Sequence, residues 1–477
     1  MRFNLWILIV VLVTGNVSYA QKAELVQSVE QRAESTWAIA KDIWEWAEPG
    51  YQEVKSAKRL ADDLEQAGFR VKRQVADIPT AFTAEFGEGK PVIGLLGEYD
   101  ALPGLSQAAV PVRQSREETT NGHGCGHHLF GAATASAAIA VAEQMKAGKL
   151  KGTVRFYGCP AEEGGAGKVF MVRAGLFADC QAVLHWHPSS RNTAGDSSCL
   201  SRIAVKFKFQ GKSAHASGSP EQGRSALDAI ELTAHAAELM REHTPDFTRI
   251  HHIITSGGGA PNVVPDFAEM FFYVRHPKND VVRKLYPRLL LCAQGAALAT
   301  ETKLQEIYLG GTLELLPNQV LSKVVLENLK QLNNLEYTDE ERQFAVRIQN
   351  TIDNPVPLDS LKEIRDVSGD LSKGSTDVGD VSWVVPTTGF STACWVPGTP
   401  AHSWQATAAG GTTIGKKGML LAAKVLAAST CDLLQQPALL TSAQTELSRR
   451  LGERKYESLL LPNQLPPFDY RAAPARP

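Results

Sequence analysis

The densest run of reactive residue types in the 477-residue chain is NGHGCGHH, from Asn121 to His128. A thiolate and an imidazole two positions apart, on a loop that glycines leave free to turn, can both face one point. Amides at the start of a following helix would lower the thiol pKa, so Cys125 and His127 read as candidate metal ligands. Two adjacent carboxylates, Glu162 and Glu163, stand in PAEEGGAG. One such group can hold a cation while its neighbour takes a proton from cation-bound water. His185 and His187 flank Trp186, and period-two alternation puts both on one face of a strand, where either could be a ligand. His402 lies in PGTPAHSW, in a loop that could return to the site from the far end of the chain. A centre of two ions needs about five protein ligands and a shared water, a count this set meets. No G-x-S-x-G elbow occurs, which leaves a serine hydrolase without its nucleophile.

The elements around these residues must bring them together. Pro91 to Gly97 (PVIGLLG), Thr153 to Tyr157 and Ala182 to Trp186 read as strands buried on both faces, and the stretch from about His128 to Met145 reads as an Ala-rich helix. Buried strands alternating with helices predict an α/β catalytic domain with a mostly parallel central sheet flanked by helices. Working groups in such sheets gather at the carboxyl ends of strands, where Glu98 to Asp100, Glu162-Glu163 and His185 to His187 fall. From Ser201 the style changes: IAVKFKF alternates, and helices alternate with half-solvated strands to about Gly310. The expected organisation is a catalytic domain in two parts, 21–200 and 311–435, a smaller α+β lid or dimerisation domain inserted over 201–310, and a polar tail over 436–477.

A net charge of -2 and 21% charged residues exclude an extended basic footprint for nucleic acid. Met1-Arg2, the apolar run Leu5 to Val13 and Ser18-Tyr19-Ala20 before Gln21 have the form of a signal peptide over 1–20, which predicts a secreted or periplasmic protein. No later segment reads as approaching the roughly 20 apolar residues of a spanning helix, so no membrane span is expected after cleavage. The seven cysteines have no framework spacing, although an oxidising compartment permits a pair such as Cys180 and Cys199.

Taken together, GEYDALPG (Gly97 to Gly104), GHGCGHH (Gly122 to His128), PAEEGGAGK (Pro160 to Lys168), LHWHP (Leu184 to Pro188), GKSAHASGSPEQGRSALDA (Gly211 to Ala229), GGGAPNVVPDFA (Gly257 to Ala268) and STDVGDVSW (Ser375 to Trp383) resemble the M20 metallopeptidase family in its amidohydrolase branch, from about Ala23 to Thr430. The resemblance implies two divalent ions, zinc or manganese, held by Cys125, His127, Glu163, His187 and His402. It implies Glu162 as the general base and Asp100 as an orienting residue. His215, Asn262 and Arg275 would clamp the substrate carboxylate and the developing oxyanion, the histidine often from across a dimer. The implied substrate is an N-acyl amino acid of the p-aminobenzoyl-glutamate kind or a dipeptide. A homodimer through the inserted domain is expected, with a paralogous partner subunit as the other assembly. A broad aminoacylase or carboxypeptidase, and a binding homologue without catalysis, are the alternative readings. Two positions depart from the branch: His128 stands where Asp or Asn is common, and Glu98 where Asp is frequent.

Overall fold

The structure is a computed structural model that describes residues 20–471. All but the last residue of the expected signal segment therefore lies outside the described residues, and residues 20–31 are helical. The strands are β1 (Arg70–Arg73), β2 (Phe82–Glu88), β3 (Val92–Glu98), β4 (Gly152–Cys159), β5 (Ala182–Ser189), β6 (Asn192–Ala194), β7 (Ser201–Gln210), β8 (Arg249–Ser256), β9 (Phe267–His276), β10 (Lys303–Thr312), β11 (Ile364–Asp366) and β12 (Thr387–Ala393). They fall into two compact units.

The larger unit takes the chain up to Ser197, Leu316–Asp370 and Val381–Lys455. Its eight-stranded sheet runs β1-β2-β4-β3-β5-β12-β6-β11. The centre, β4-β3-β5-β12, is parallel, and β1-β2 extends it as an antiparallel edge. β3 is buried at every position, as a central strand covered on both faces must be. The helix His127–Lys146 is buried almost all round. Its alanines permit close approach, and it packs on β3 and on the helix Thr413–Gln435. By length and composition that second helix is apolar enough to cross a membrane, which corrects the expectation that no later segment is; 83% of its apolar window is buried within the protein.

Two further elements go beyond the sequence-based expectation. β12 inserts between β5 and β6, running parallel to β5 from Thr387 opposite Val183 to Ala393 opposite Ser189. Within the stretch read as a polar tail, Pro437–Leu451 is a helix that buries Leu440, Ala443 and Leu447. Proline at its first turn costs no hydrogen bond and sets the backbone for a helix start.

The smaller unit gathers Ser198–Leu315, Leu371–Asp380 and the chain from Tyr456. It is more than a single insertion over 201–310. Its four-stranded antiparallel sheet runs β10-β7-β9-β8. Ile203, Val205, Phe207 and Phe209 of β7 are buried, and the helices Ala226–Arg241 and Asn279–Ala299 pack on the sheet and on each other. No disulfide forms among the described residues: the seven cysteines are thiols, and Cys180 Sγ meets the Tyr157 hydroxyl at 3.1 Å.

Candidate metal centre

The carboxyl ends of β3, β4 and β5 carry the reactive groups to one place. Past β3, the buried Asp100 does two jobs. Its Oδ1 lies 2.8 Å from His127 Nδ1, and its Oδ2 accepts the Glu163 N–H at 2.9 Å. A carboxylate only accepts, so His127 donates from Nδ1 and turns Nε2 toward the other groups. His187, on β5, uses Nδ1 against the Pro188 carbonyl at 2.7 Å, which leaves its Nε2 facing Cys125 Sγ at 3.4 Å. His402 adopts a left-handed backbone (φ 57) and donates its N–H to the Gly124 carbonyl at 2.9 Å. Its loop is thereby tied to the cysteine loop, and Nε2 lies 3.1 Å from Glu163 Oε1.

The glycines of GHGCGHH are required by this crowding. A Cβ on Gly124 would sit 2.6 Å from Leu105 and 3.3 Å from the His402 Cα. Gly126 has φ 78, and a Cβ there would meet the Pro188 ring at 2.6 Å. Any side chain at either position would push the Cys125 loop off its partners.

Three groups of potential donors result, each with its ligand atoms within 4.8 Å of one another: Cys125, His127 and His187; Cys125, Glu163 and His402; and Glu98, His127 and Glu162. The first two share the Cys125 sulfur. An ion bound tetrahedrally at ordinary Zn–S, Zn–N and Zn–O lengths holds its ligand atoms roughly 3.4–3.6 Å apart. The Cys125–His187 and Glu163–His402 separations of 3.4 and 3.1 Å are close to that spacing. His127 Nε2 and Glu98 Oε2 are buried 3.1 Å apart in an orientation that makes no hydrogen bond, as two donors turned toward a third point would be.

The electrostatics agree. Burial and the charge of Glu163 push the Cys125 thiol up, but His187 and His127 outweigh them and bring it down to about 6. The imidazoles, more than the helix amides, thus favour the thiolate. Burial alone would lower His127 and His187, yet the anionic Cys125 raises both, with Asp100 adding to the effect at His127. His402 is raised to about 11 by its hydrogen bonds to Cys125 and Glu163. A field that draws protons onto three imidazoles also draws divalent cations, and the donor set fits them.

The rival histidines separate. His128 is buried with Nε2 3.1 Å from the Gly410 carbonyl, and burial holds its pKa well down. His185 shares a strand face with His187 as expected, but its ring lies against Gly389, and burial with Lys168 nearby lowers it to about 3. Neither joins a donor group among the described residues.

Three supporting residues have no role in the sequence-based expectation. Glu98 closes a strand of otherwise apolar residues and pairs through Oε1 with the fully buried Lys168 Nζ at 2.6 Å. A carboxylate ending such a strand is the signal that placed it among the strand-end groups in the sequence, without a role of its own. Glu53, also buried, accepts the Ala161 N–H at 2.8 Å and the Thr80 hydroxyl at 2.9 Å, and so braces the turn that presents Glu162. Nothing in its local sequence marks it.

In the smaller unit, His215 and Asn262 are neighbours: His215 bridges to Val263, and the Ala216 N–H donates to the Asn262 carbonyl. His215 Nδ1 accepts the Gly218 N–H at 3.0 Å, leaving Nε2 to donate outward. Arg275 is not brought to them. It sits at the far end of β9, opposite Arg202 and Arg249, eight residues and roughly 27 Å along the strand from Phe267. A three-residue clamp is therefore not assembled within this unit.

The profile of peptidase family M20/M25/M40 matches residues 94–408, the span from β3 through His402. The chain belongs to this family. The M20 chain is 41% identical over 458 residues to the B-type subunit of p-aminobenzoyl-glutamate hydrolase from Escherichia coli (strain K12), covering 90% of this chain and 95% of that protein. It is 29% identical to the Xaa-Arg dipeptidase of Mus musculus, covering 91% and 94%. A crystal structure described as a dinuclear metal binding peptidase of the M20 family, from Bacillus subtilis, superposes with a TM-score of 0.57 at 19% identity, over 85% of this chain and 99% of that one. The fold and the hydrolase class of the M20 chain follow. An Asp100→Ala variant should bind metal about 10–100-fold more weakly, because it frees both the His127 ring and the Glu163 turn; titration calorimetry with zinc measures it.

Proposed function

We propose that this M20 hydrolase is an exported two-ion amidohydrolase that cleaves N-acyl or aminoacyl amino acids, of the p-aminobenzoyl-glutamate or dipeptide kind. The observation that carries the reading is the sharing of Cys125 by two donor groups, with the Glu162 carboxylate within 4.8 Å of His127 in the third. Two divalent ions held there would acidify a water and polarise the amide carbonyl. Glu162 would accept the proton of the attacking water and deliver it to the leaving nitrogen, so the carboxylate is regenerated each cycle. Asp100 keeps His127 in the tautomer that faces the cluster. His215 and Asn262 would donate to the substrate carboxylate or the developing oxyanion, and Arg275 would offer its planar fork from a separate position. The thiolate favours zinc, while the imidazole and carboxylate donors also suit manganese.

The E. coli relative is by name one component of a hydrolase of more than one chain type. A homodimer through the smaller unit, or a pairing with a paralogous chain, is part of the same proposal. Purified protein should carry two ions per chain and release the free amine from such substrates. A chelator should abolish release, and added zinc or manganese should restore it. Activity undiminished after complete metal removal would defeat the proposal.

A further inference from the structure

Between Asp100 and Cys125 the chain makes a long excursion whose two ends are joined by paired Leu102 and Gly122 hydrogen bonds of 3.0 and 2.9 Å. The excursion is a built lobe. The buried Gln107 side chain donates to the Ala108 and Val112 carbonyls and accepts the Gln114 N–H. Ser106 exchanges hydrogen bonds with the Arg116 backbone. The Arg116 guanidinium lies over Trp44 at 4.8 Å and donates to the Trp44 and Glu45 carbonyls. Compact loops closed at their base in this way present a fixed surface.

That surface walls a groove of about 480 Å3, which also includes His402, Ser403 and Trp404. The volume suits a small-molecule group. Because His402 belongs both to the groove and to the donor group with Cys125 and Glu163, a substrate whose amide sits at the cluster can extend into it. The lining holds arginines and hydroxyls but no Asp or Glu. Arg116 is committed to Trp44 and Glu45. Arg113 is exposed and makes no hydrogen bond or ion pair among the described residues, so its fork is free for a ligand.

Resting on the hydrolase reading above, we infer that this groove is a side-chain subsite in which Arg113 binds a carboxylate, so that N-acyl derivatives of glutamate and aspartate are preferred to those of glutamine and arginine. A guanidinium grips a carboxylate through two parallel hydrogen bonds and repels a cationic side chain. The subsite sets affinity for the side chain and leaves the bond-breaking groups untouched. Its signature is a KM effect that depends on side-chain charge.

The test compares kcat/KM for N-acyl-glutamate, N-acyl-glutamine and N-acyl-arginine, with one acyl group throughout, in the wild type, Arg113→Glu and Arg113→Lys. The wild type should rank glutamate first. Arg113→Glu should lower the glutamate-to-arginine ratio by at least about tenfold, chiefly through KM, and Arg113→Lys should keep most of it. Turnover with an unchanged ratio in Arg113→Glu overturns this inference alone. Absence of turnover on all three substrates overturns the hydrolase reading and this inference with it.

Discussion

Glu162→Gln should turn over substrate on the order of 100- to 10,000-fold more slowly than the parent while still binding two ions per chain. Glutamine keeps the shape of the side chain but has no carboxylate to take the proton of the attacking water, and the nitrogen leaving the amide then has no donor poised beside it. Glu163→Gln makes the contrast. Glu163 stands with Cys125 and His402 in a donor group, its Oε1 3.1 Å from His402 Nε2, so its loss should appear first as lost metal. The measurement is turnover of an N-acyl-glutamate beside metal content by mass spectrometry on the same preparations. Wild-type turnover in Glu162→Gln would remove it as the base.

Cys125→Ser should release both ions, each bound more than about 100-fold more weakly, a larger loss than outer-shell partners carry. The reason is its place in two donor groups at once. A serine hydroxyl is not ionised at neutral pH, whereas the thiol is already drawn down to about 6 by His187 and His127. His187→Ala removes a member of one group only and should leave about one ion after dialysis against trace-metal buffer. Two ions retained by Cys125→Ser under the same dialysis would refute the shared sulfur.

Much of the centre is legible in the sequence because its chemistry uses rare residue types in short runs. Glu162 and Glu163 sit in a Gly-rich turn after an apolar strand, and Cys125 and His127 in a Gly-rich turn that opens a helix; such turns occur where backbone must approach other backbone closely. The choice of His187 over His185 cannot be read from strand alternation, which treats them alike; it turns on the Pro188 carbonyl that fixes one ring and the Gly389 hollow that takes the other. Glu53 is invisible there, since its partners Ala161 and Thr80 are distant in sequence. β12 escapes a sequence reading because TTGFSTA carries little apolar signal of its own and becomes a strand through its neighbours β5 and β6. The helix Pro437–Leu451 escapes it because the polar face dominates, although the buried leucines recur at helical spacing.

The position of β12 has a consequence for synthesis. β5, with His187 on it, gains its second neighbour only when Thr387–Ala393 has been made. At ordinary translation speeds, roughly 10–40 s separate the two strands on the ribosome. Throughout that interval the nascent chain presents an unpaired, apolar strand edge, the kind of template on which other polypeptides pile up. Premature termination before this strand would thus yield a product that needs chaperone protection, with His187 on an open flank.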